Sequence, residues 1–357
     1  MRARSRSLRI EQRSSARARL SRAGVLAAAL LIAGAAQRPP RQPLDPPVAL
    51  KTGAVGALSD AGIFVALEKG FFRDEGLDVE LVSFKAGPQI IPSLATGQTQ
   101  VSGTTVSPSL FNALSRGIAM KIVADKGQVS RGFGWAAIAV RGDLAESVKD
   151  FHDLKGRKIG LPSKAVSLYT QLGKALEQGG LGVSDVELVE IGFPDMVAAF
   201  ANKAIEAAML IEPFIALVVE RKVAVRWKGV EDYYPFKAQN GVIVYAEQFA
   251  TQQPQAAERW MIAYLRGVRA YRDAVLHGAD RDAIDAILAR HTEVKDRTLY
   301  SKMQPTDLAA DGRVELRSLE WDQDWFLKLG LQRERADLSK VIDYRYVDHA
   351  AAQLGGR

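Results

Sequence analysis

SDAGIFVALEKGFFRDEGLDVELVSFKAGPQIIPSLATGQTQVSGTTVSPSLFNALSRGI, residues 59–118, decides the fold. Ser59 and Asp60 stand where a helix cap belongs, and Ile63, Phe64, Leu67 and Phe71 follow at helical spacing. Gly70 and Gly76 punctuate, and 79–84 reads as a strand. Gly87-Pro88 opens a second helix with Ile90, Ile91 and Leu94 apolar, closed near Gly97. Residues 101–106 form a short strand, and Ser107-Pro108 sets an N-cap before an N1 proline. Such a unit presents N–H groups and hydroxyls at strand ends, where an open α/β sheet takes its ligand. It contains no paired nucleophile and base and no metal-ligand cluster, so its chemistry is that of holding a small molecule.

Upstream, residues 2–22 hold eight arginines against one acid, Glu11. The apolar run 25–36 follows and ends in small residues. Basic, apolar and small-residue regions in that order predict a secretory signal cleaved after Ala36. An uncleaved anchor is the competing reading, although the run is shorter than the roughly 20 apolar residues of a spanning helix. With no cysteine in the chain, a lipid-anchored lipoprotein, a disulfide and thiolate chemistry are all excluded. The full chain has 48 basic and 41 acidic residues; without residues 1–36 the balance is 40 against 40. The basic charge therefore belongs to the export signal, and no basic stripe points to nucleic acid. Residues 37–47 carry five prolines and read as an extended, unpacked tether.

Downstream, strands are predicted at 48–52, 121–125 and 135–140, then at 186–191, 207–211, 223–227 and 242–245. The turn 153–161 leads into one more strand. Helices are predicted at 166–178, after Pro194-Asp195, and after Glu212-Pro213. This alternation argues for an α/β fold with mostly parallel sheets. From residue 254 the pattern is helical only, with Trp260, Met261, Tyr264, Leu265, Val268, Tyr271 and Val275 on one face. Two further helices are predicted at 282–291 and 314–329. A tail without a sheet of its own must pack on an existing lobe.

ALEKGFFRDEGLDVELVSF, the GPQIIPSLATGQTQVSGTTVSPSLFNAL block, DLKGRKIGLPS, FPDMVAAFANKAIEAAMLIEPF and DLSKVIDYRYV together resemble the solute-binding proteins of bacterial ABC importers. The resemblance is to the sulfonate/taurine/nitrate branch, which shares its fold with thiamine-pyrimidine proteins. It covers residues 48–250 well and the tail loosely. It implies a type II, two-lobed periplasmic-binding-protein-like fold whose lobes close over a ligand. Lobe I would be 48–135 plus 245–357, and lobe II 136–244. It also implies a monomer in the periplasm that serves an inner-membrane ABC permease. The ligand would be a small organic anion, a sulfonate or carboxylate, aromatic or not, with no cofactor and no metal.

The candidate ligand residues sit at strand-to-helix junctions. In the first series they are Ser59, Asp60, Gly87, Thr104, Thr105 and Ser107. Thr104, Thr105 and Ser107 form a trio of hydroxyls beside a proline-started helix, whose N-terminus favours negative charge. Lys85 precedes Gly87, which allows close backbone approach. In the second series Ser163, Val166 and Ser167 repeat the arrangement. Trp135 and Phe133 are candidates for an apolar wall. Glu212-Pro213-Phe214 resembles the family's Trp-Glu-Pro segment, with Ile211 in place of the Trp. Each residue has a plainer reading: capping for Ser59, Asp60 and Ser107, a simple turn for Gly87, a backbone hydrogen bond for Glu212. Trp260 and Trp321 are assigned to core.

Enzyme signatures are absent from the sequence. His152, His277, His291 and His349 are scattered, and there is no Gly-x-Ser-x-Gly elbow, P-loop or dinucleotide fingerprint. Two alternatives stay open: an enzyme on the same fold, and a sensor domain that presents its ligand to a receptor.

Overall fold

A computed structural model describes residues 42–355 and places them on two five-stranded mixed sheets, as the alternating pattern implies. The export segment expected at 1–36 lies outside the described residues. Among the described residues no helix is long and apolar enough to cross a membrane.

The first sheet holds β1 (Val48–Ala54), β2 (Leu77–Ser83), β3 (Val101–Thr105), β4 (Met120–Val129) and β10 (Ala238–Ala246), in the order β2-β1-β3-β10-β4. β2 and β3 run parallel to β1, and only β10 is reversed. The second sheet holds β5 (Ala136–Arg141), β6 (Lys158–Leu161), β7 (Glu187–Glu190), β8 (Ala207–Ile211) and β9 (Ala224–Gly229), in the order β7-β6-β8-β5-β9. Here only β5 is reversed. Parallel neighbours need crossover connections, and helices supply them. In the first series these are α1 (Ala61–Glu68), α2 (Ile90–Ala95) and α3 (Pro108–Ser115). In the second they are α4 (Ser167–Gln178), α5 (Phe193–Ala201) and α6 (Phe214–Glu220).

The C-terminal helices are α7 (Pro254–His277), α8 (Arg281–His291), α9 (Leu316–Lys328) and α10 (Arg345–Leu354). The expected face of α7 joins the core of the first sheet, with Trp260, Tyr264, Val268 and Tyr271 buried in it. Buried Trp and Tyr need partners for their polar atoms. Trp260 Nε1 donates to Thr52 Oγ1 at 3.0 Å, and the Tyr264 hydroxyl donates to Asp125 O at 2.7 Å. The tether is not wholly unpacked: Leu44 is half-buried against the same core. Trp321 is only partly buried, with the Lys174 ammonium 4.5 Å from its ring centre.

The chain passes between the sheets twice, after β4 and after β9. The boundary expected at 244/245 falls inside β10, whose nine residues form one strand of the first sheet. Its opening Ala238-Gln239-Asn240-Gly241 is polar in pattern, which hides the strand's true start. Asp307 ties both crossings together. Its carboxylate accepts from Ser130 Oγ at 2.7 Å, lies 3.1 Å from Lys237 Nζ, and accepts from Arg272 Nη1 at 2.7 Å. Helix α9 touches both cores. Leu319 and Phe326 lie in the first. Trp325 lies edge-on to Tyr169 of α4, and Asp322 accepts a hydrogen bond from Thr170. A Cβ at Gly173 would stand 2.0 Å from Trp325 Cη2, so only glycine lets α4 approach α9 this closely.

Candidate ligand-binding cleft

A cleft of about 330 Å³ lies between the sheets, at the low end of the size range of small-molecule pockets. Its walls are the loops that leave β1, β2 and β3 on one side and β6, β7 and β8 on the other. These are the carboxyl ends of parallel strands in both sheets, where open α/β sheets bind ligands. The first sheet contributes Val55–Ala57 and Ser59, Lys85–Pro88, Thr105 and Asn240. The second contributes Ser163, Val166, Leu168, Phe193 and Glu212–Phe214, and Trp135 enters from the first crossing.

Seven of the eleven candidate residues line this space: Ser59, Gly87, Thr105, Trp135, Ser163, Val166 and Glu212. The other four act behind it. Asp60 is fully buried: its Oδ1 lies 2.9 Å from Lys126 Nζ, and its Oδ2 accepts from Val55 N at 3.2 Å and Ala57 N at 3.1 Å. It therefore shapes the first loop of the cleft from behind. The trio of hydroxyls does not converge. Thr104 Oγ1 donates to Gly87 O at 2.9 Å, and Ser107 Oγ accepts from Leu110 N at 3.3 Å as a plain N-cap. Ser167 has a buried side chain, and its N–H reaches across to Val106 O at 3.2 Å, a direct contact between the two halves. Phe133 lies under the Arg272 guanidinium at 5.2 Å and is not among the lining residues.

Gly87 is needed for packing. A Cβ there would lie 2.2 Å from Thr105 Oγ1. Trp135 is held by its own polar atoms: Nε1 donates to Gln128 O at 2.8 Å, and its carbonyl accepts from Glu212 N at 2.8 Å. The ring is thereby fixed as a wall. A stacked pair, Phe193 and Phe214, with centres 5.6 Å apart, adds further apolar wall. Phe193 and Asn240, with Leu168 and Glu293, are among the lining residues that sequence reasoning missed. An aromatic at the first position of a helix, before Pro194, was the available signal for Phe193. For Asn240 there was none, because a polar residue beside glycine reads as a turn.

Among the described residues three ionisable groups line the cleft: exposed Lys85, exposed Glu293 and buried Glu212. Glu212 Oε2 accepts from Ala216 N at 2.9 Å, and Oε1 accepts from Gln304 N at 3.1 Å. Burial pushes its carboxyl up from 4.5 to about 7, against the pull of those two N–H groups and of Arg226. Burial likewise raises Asp125, at the base of the first sheet, from 3.8 to about 7. The folded chain thus holds protons that the unfolded chain releases, between about pH 4.5 and pH 7 for Glu212. Stability from that proton is complete below the unfolded value and is lost as pH rises through the folded one. The melting temperature should rise as pH is lowered from 8 to 5, and Glu212→Gln should flatten that rise by about 3 kcal/mol, from 1.36 kcal/mol per unit. A pH profile equally steep in the variant would show that Glu212 does not carry it.

The sequence profile of the NMT1/THI5-like family matches residues 59–274. A protein named as a binding protein in Brucella abortus (strain 2308) is 30% identical over 211 residues, 59% of this chain and 62% of that protein. The match thus spans less than two thirds of that relative's length. The riboflavin-binding protein RibY of Chloroflexus aurantiacus is 28% identical over 243 residues, 66% of this chain and 65% of its own. Among solved structures, the periplasmic aliphatic sulphonate binding protein SsuA from Escherichia coli superposes with a TM-score of 0.67 at 21% identity, covering 83% of this chain and 92% of that one. The expected two-lobed fold is therefore the fold found. With the profile covering more than half of its residues, the chain belongs to the NMT1/THI5-like family.

Proposed function

We propose that this chain is the solute-binding component of an ABC importer, and that it holds a small organic anion with a flat apolar body in the cleft without changing it. One observation carries the reading. Strand ends of both halves meet around a cavity walled by Trp135, Phe193 and Phe214, with Lys85 the one cationic side chain among the described lining residues. A bare inorganic oxyanion is best held by several charge-assisted bonds, above all from arginine. No arginine is among the described lining residues. Aromatic walls favour a carbon framework, and Lys85 with the adjoining helix starts favours an acidic group on it. Glu212 is compatible with the same reading, because burial raises its pKa to about 7 and so reduces its charge near neutral pH relative to an ordinary carboxylate.

The relatives support binding: SsuA is an aliphatic sulphonate binding protein and RibY a riboflavin-binding protein. Residues 1–36 carry the export pattern, so the site of action is the periplasm and the partner is an inner-membrane permease. The test is calorimetric titration of the purified protein with alkyl and aryl sulfonates and carboxylates. At least one aryl acid should bind and raise the melting temperature, by about 2.7 kcal/mol of stability at a hundredfold excess over Kd. If none of the panel binds, the ligand class is wrong. Binding that consumes the acid would overturn the non-catalytic reading.

A further inference from the structure

We infer that Asn240 reads a hydrogen-bond donor on the body of the ligand, at a point separate from its acidic group, so that the solute is a hydroxy- or amino-substituted acid. The inference rests on the cleft being the ligand site. Asn240 is 6% exposed and lines the cleft, and its Oδ1 is buried with no hydrogen-bond partner among the described residues. Its carbonyl accepts from Val106 N at 2.9 Å, and the next residue, Gly241, pairs with Thr105 across the β3–β10 ladder. The backbone is thus held at a strand end, and the buried oxygen of the side-chain amide is left over.

The neighbouring buried polar groups behave differently. Gln239 Nε2 donates to Asp125 Oδ1 at 2.6 Å and to Gly241 O at 2.7 Å, while its Oε1 accepts from Glu315 N at 2.8 Å. Thr104 donates to Gly87 O. Gln128 Oε1, across the ladder from Gln239, and Thr306 Oγ1 are also unpartnered, but among the described residues Asn240 and Thr105 are the two with such an atom that line the cleft. An unpaired buried acceptor costs stability, so its retention points to a bond made with something that enters the cleft. A carboxylate or sulfonate offers acceptors only and cannot satisfy a carbonyl oxygen. With Oδ1 turned inward, a ligand that satisfies it brings its own O–H or N–H, and Thr105, able to donate and accept, completes a polar edge beside it.

The test compares 3- and 4-hydroxybenzenesulfonate and the matching benzoates with the same acids carrying hydrogen or fluorine in place of the hydroxyl. Affinities are measured by calorimetry for the full chain and for Asn240→Ala. The wild type should prefer a hydroxylated member by about tenfold, the worth of one buried hydrogen bond. Asn240→Ala should lose that preference, its affinity for the hydroxylated acids falling by about tenfold relative to that for the unsubstituted ones, and should melt without ligand at an unchanged or higher temperature. Equal binding of both series by the wild type, or a preference that survives in the variant, overturns the inference and leaves the cleft as the ligand site. A variant that loses stability and all affinity alike marks Asn240 as structural and also overturns it. If the wild type binds no member of either series, the reading of the cleft fails with it.

Discussion

Asp60→Ala should destabilise the protein by about 3–5 kcal/mol, the usual result of stranding a buried charge by removing its partner. Asp60 and Lys126 are both fully buried, 2.9 Å apart. The Lys126 stem runs between the backbones of neighbouring strands: a Cβ on Gly103 would meet its Cε at 2.9 Å, and one on Gly241 its Cδ at 3.0 Å. The ammonium therefore cannot swing out to water without displacing the sheet. The variant also removes the acceptor of the Val55 and Ala57 N–H groups, so the first loop of the cleft should loosen. The pair Asp60→Asn with Lys126→Met removes both charges and keeps most of the volume. It should be less destabilised than Asp60→Ala alone. Chemical denaturation of the three proteins decides this. A single variant within 1 kcal/mol of wild type would mean that Lys126 finds another partner.

The second large effect is expected at the hinge. Asp307→Ala removes the acceptor shared by Ser130, Lys237 and Arg272. Hydrogen bonds to charged groups are worth about 1.5–3 kcal/mol each, and the Lys237 contact is discounted because that side chain is half exposed. A loss of about 2–4 kcal/mol is expected. The location of the damage is the sharper signature: amide exchange should quicken in the two crossings, 129–136 and 230–238, ahead of either core. Unchanged exchange there would remove Asp307 from any hinge role.

These residues also mark where the sequence stopped being legible. Periodicity reported what faces a core. The α7 face from Trp260 to Tyr271 was readable because burial and helical spacing coincide there. β4 was not: Asp125, Lys126 and Gln128 are buried polar residues in mid-strand, and a pattern of apolar alternation ends where they begin. The same holds for the first residues of β10. Their partners lie far away in sequence, Lys126 with Asp60 and Gln239 with Asp125 and Glu315. No local window contains such pairs.

The site shows the same division. Strand-to-helix junctions are visible in sequence, which is why seven candidates line the cleft. Whether a hydroxyl at such a junction points into the cleft or back into the fold depends on one side-chain rotation. Thr104 and Thr105 are adjacent, and alternation along β3 sends them to opposite faces. Thr104 bonds Gly87, and Thr105 faces the cleft.

The central claim is that the two halves close on a solute between them. The chain has no cysteine, so Gln98→Cys on the first half and Asn202→Cys on the second, both exposed, can carry a fluorescent pair without background labelling. The distance between the labels, followed while the aryl and alkyl acids are added one by one, should shorten for each acid that calorimetry shows to bind and for no other. An acid that binds tightly while the distance stays fixed would place its site outside the cleft and contradict the account.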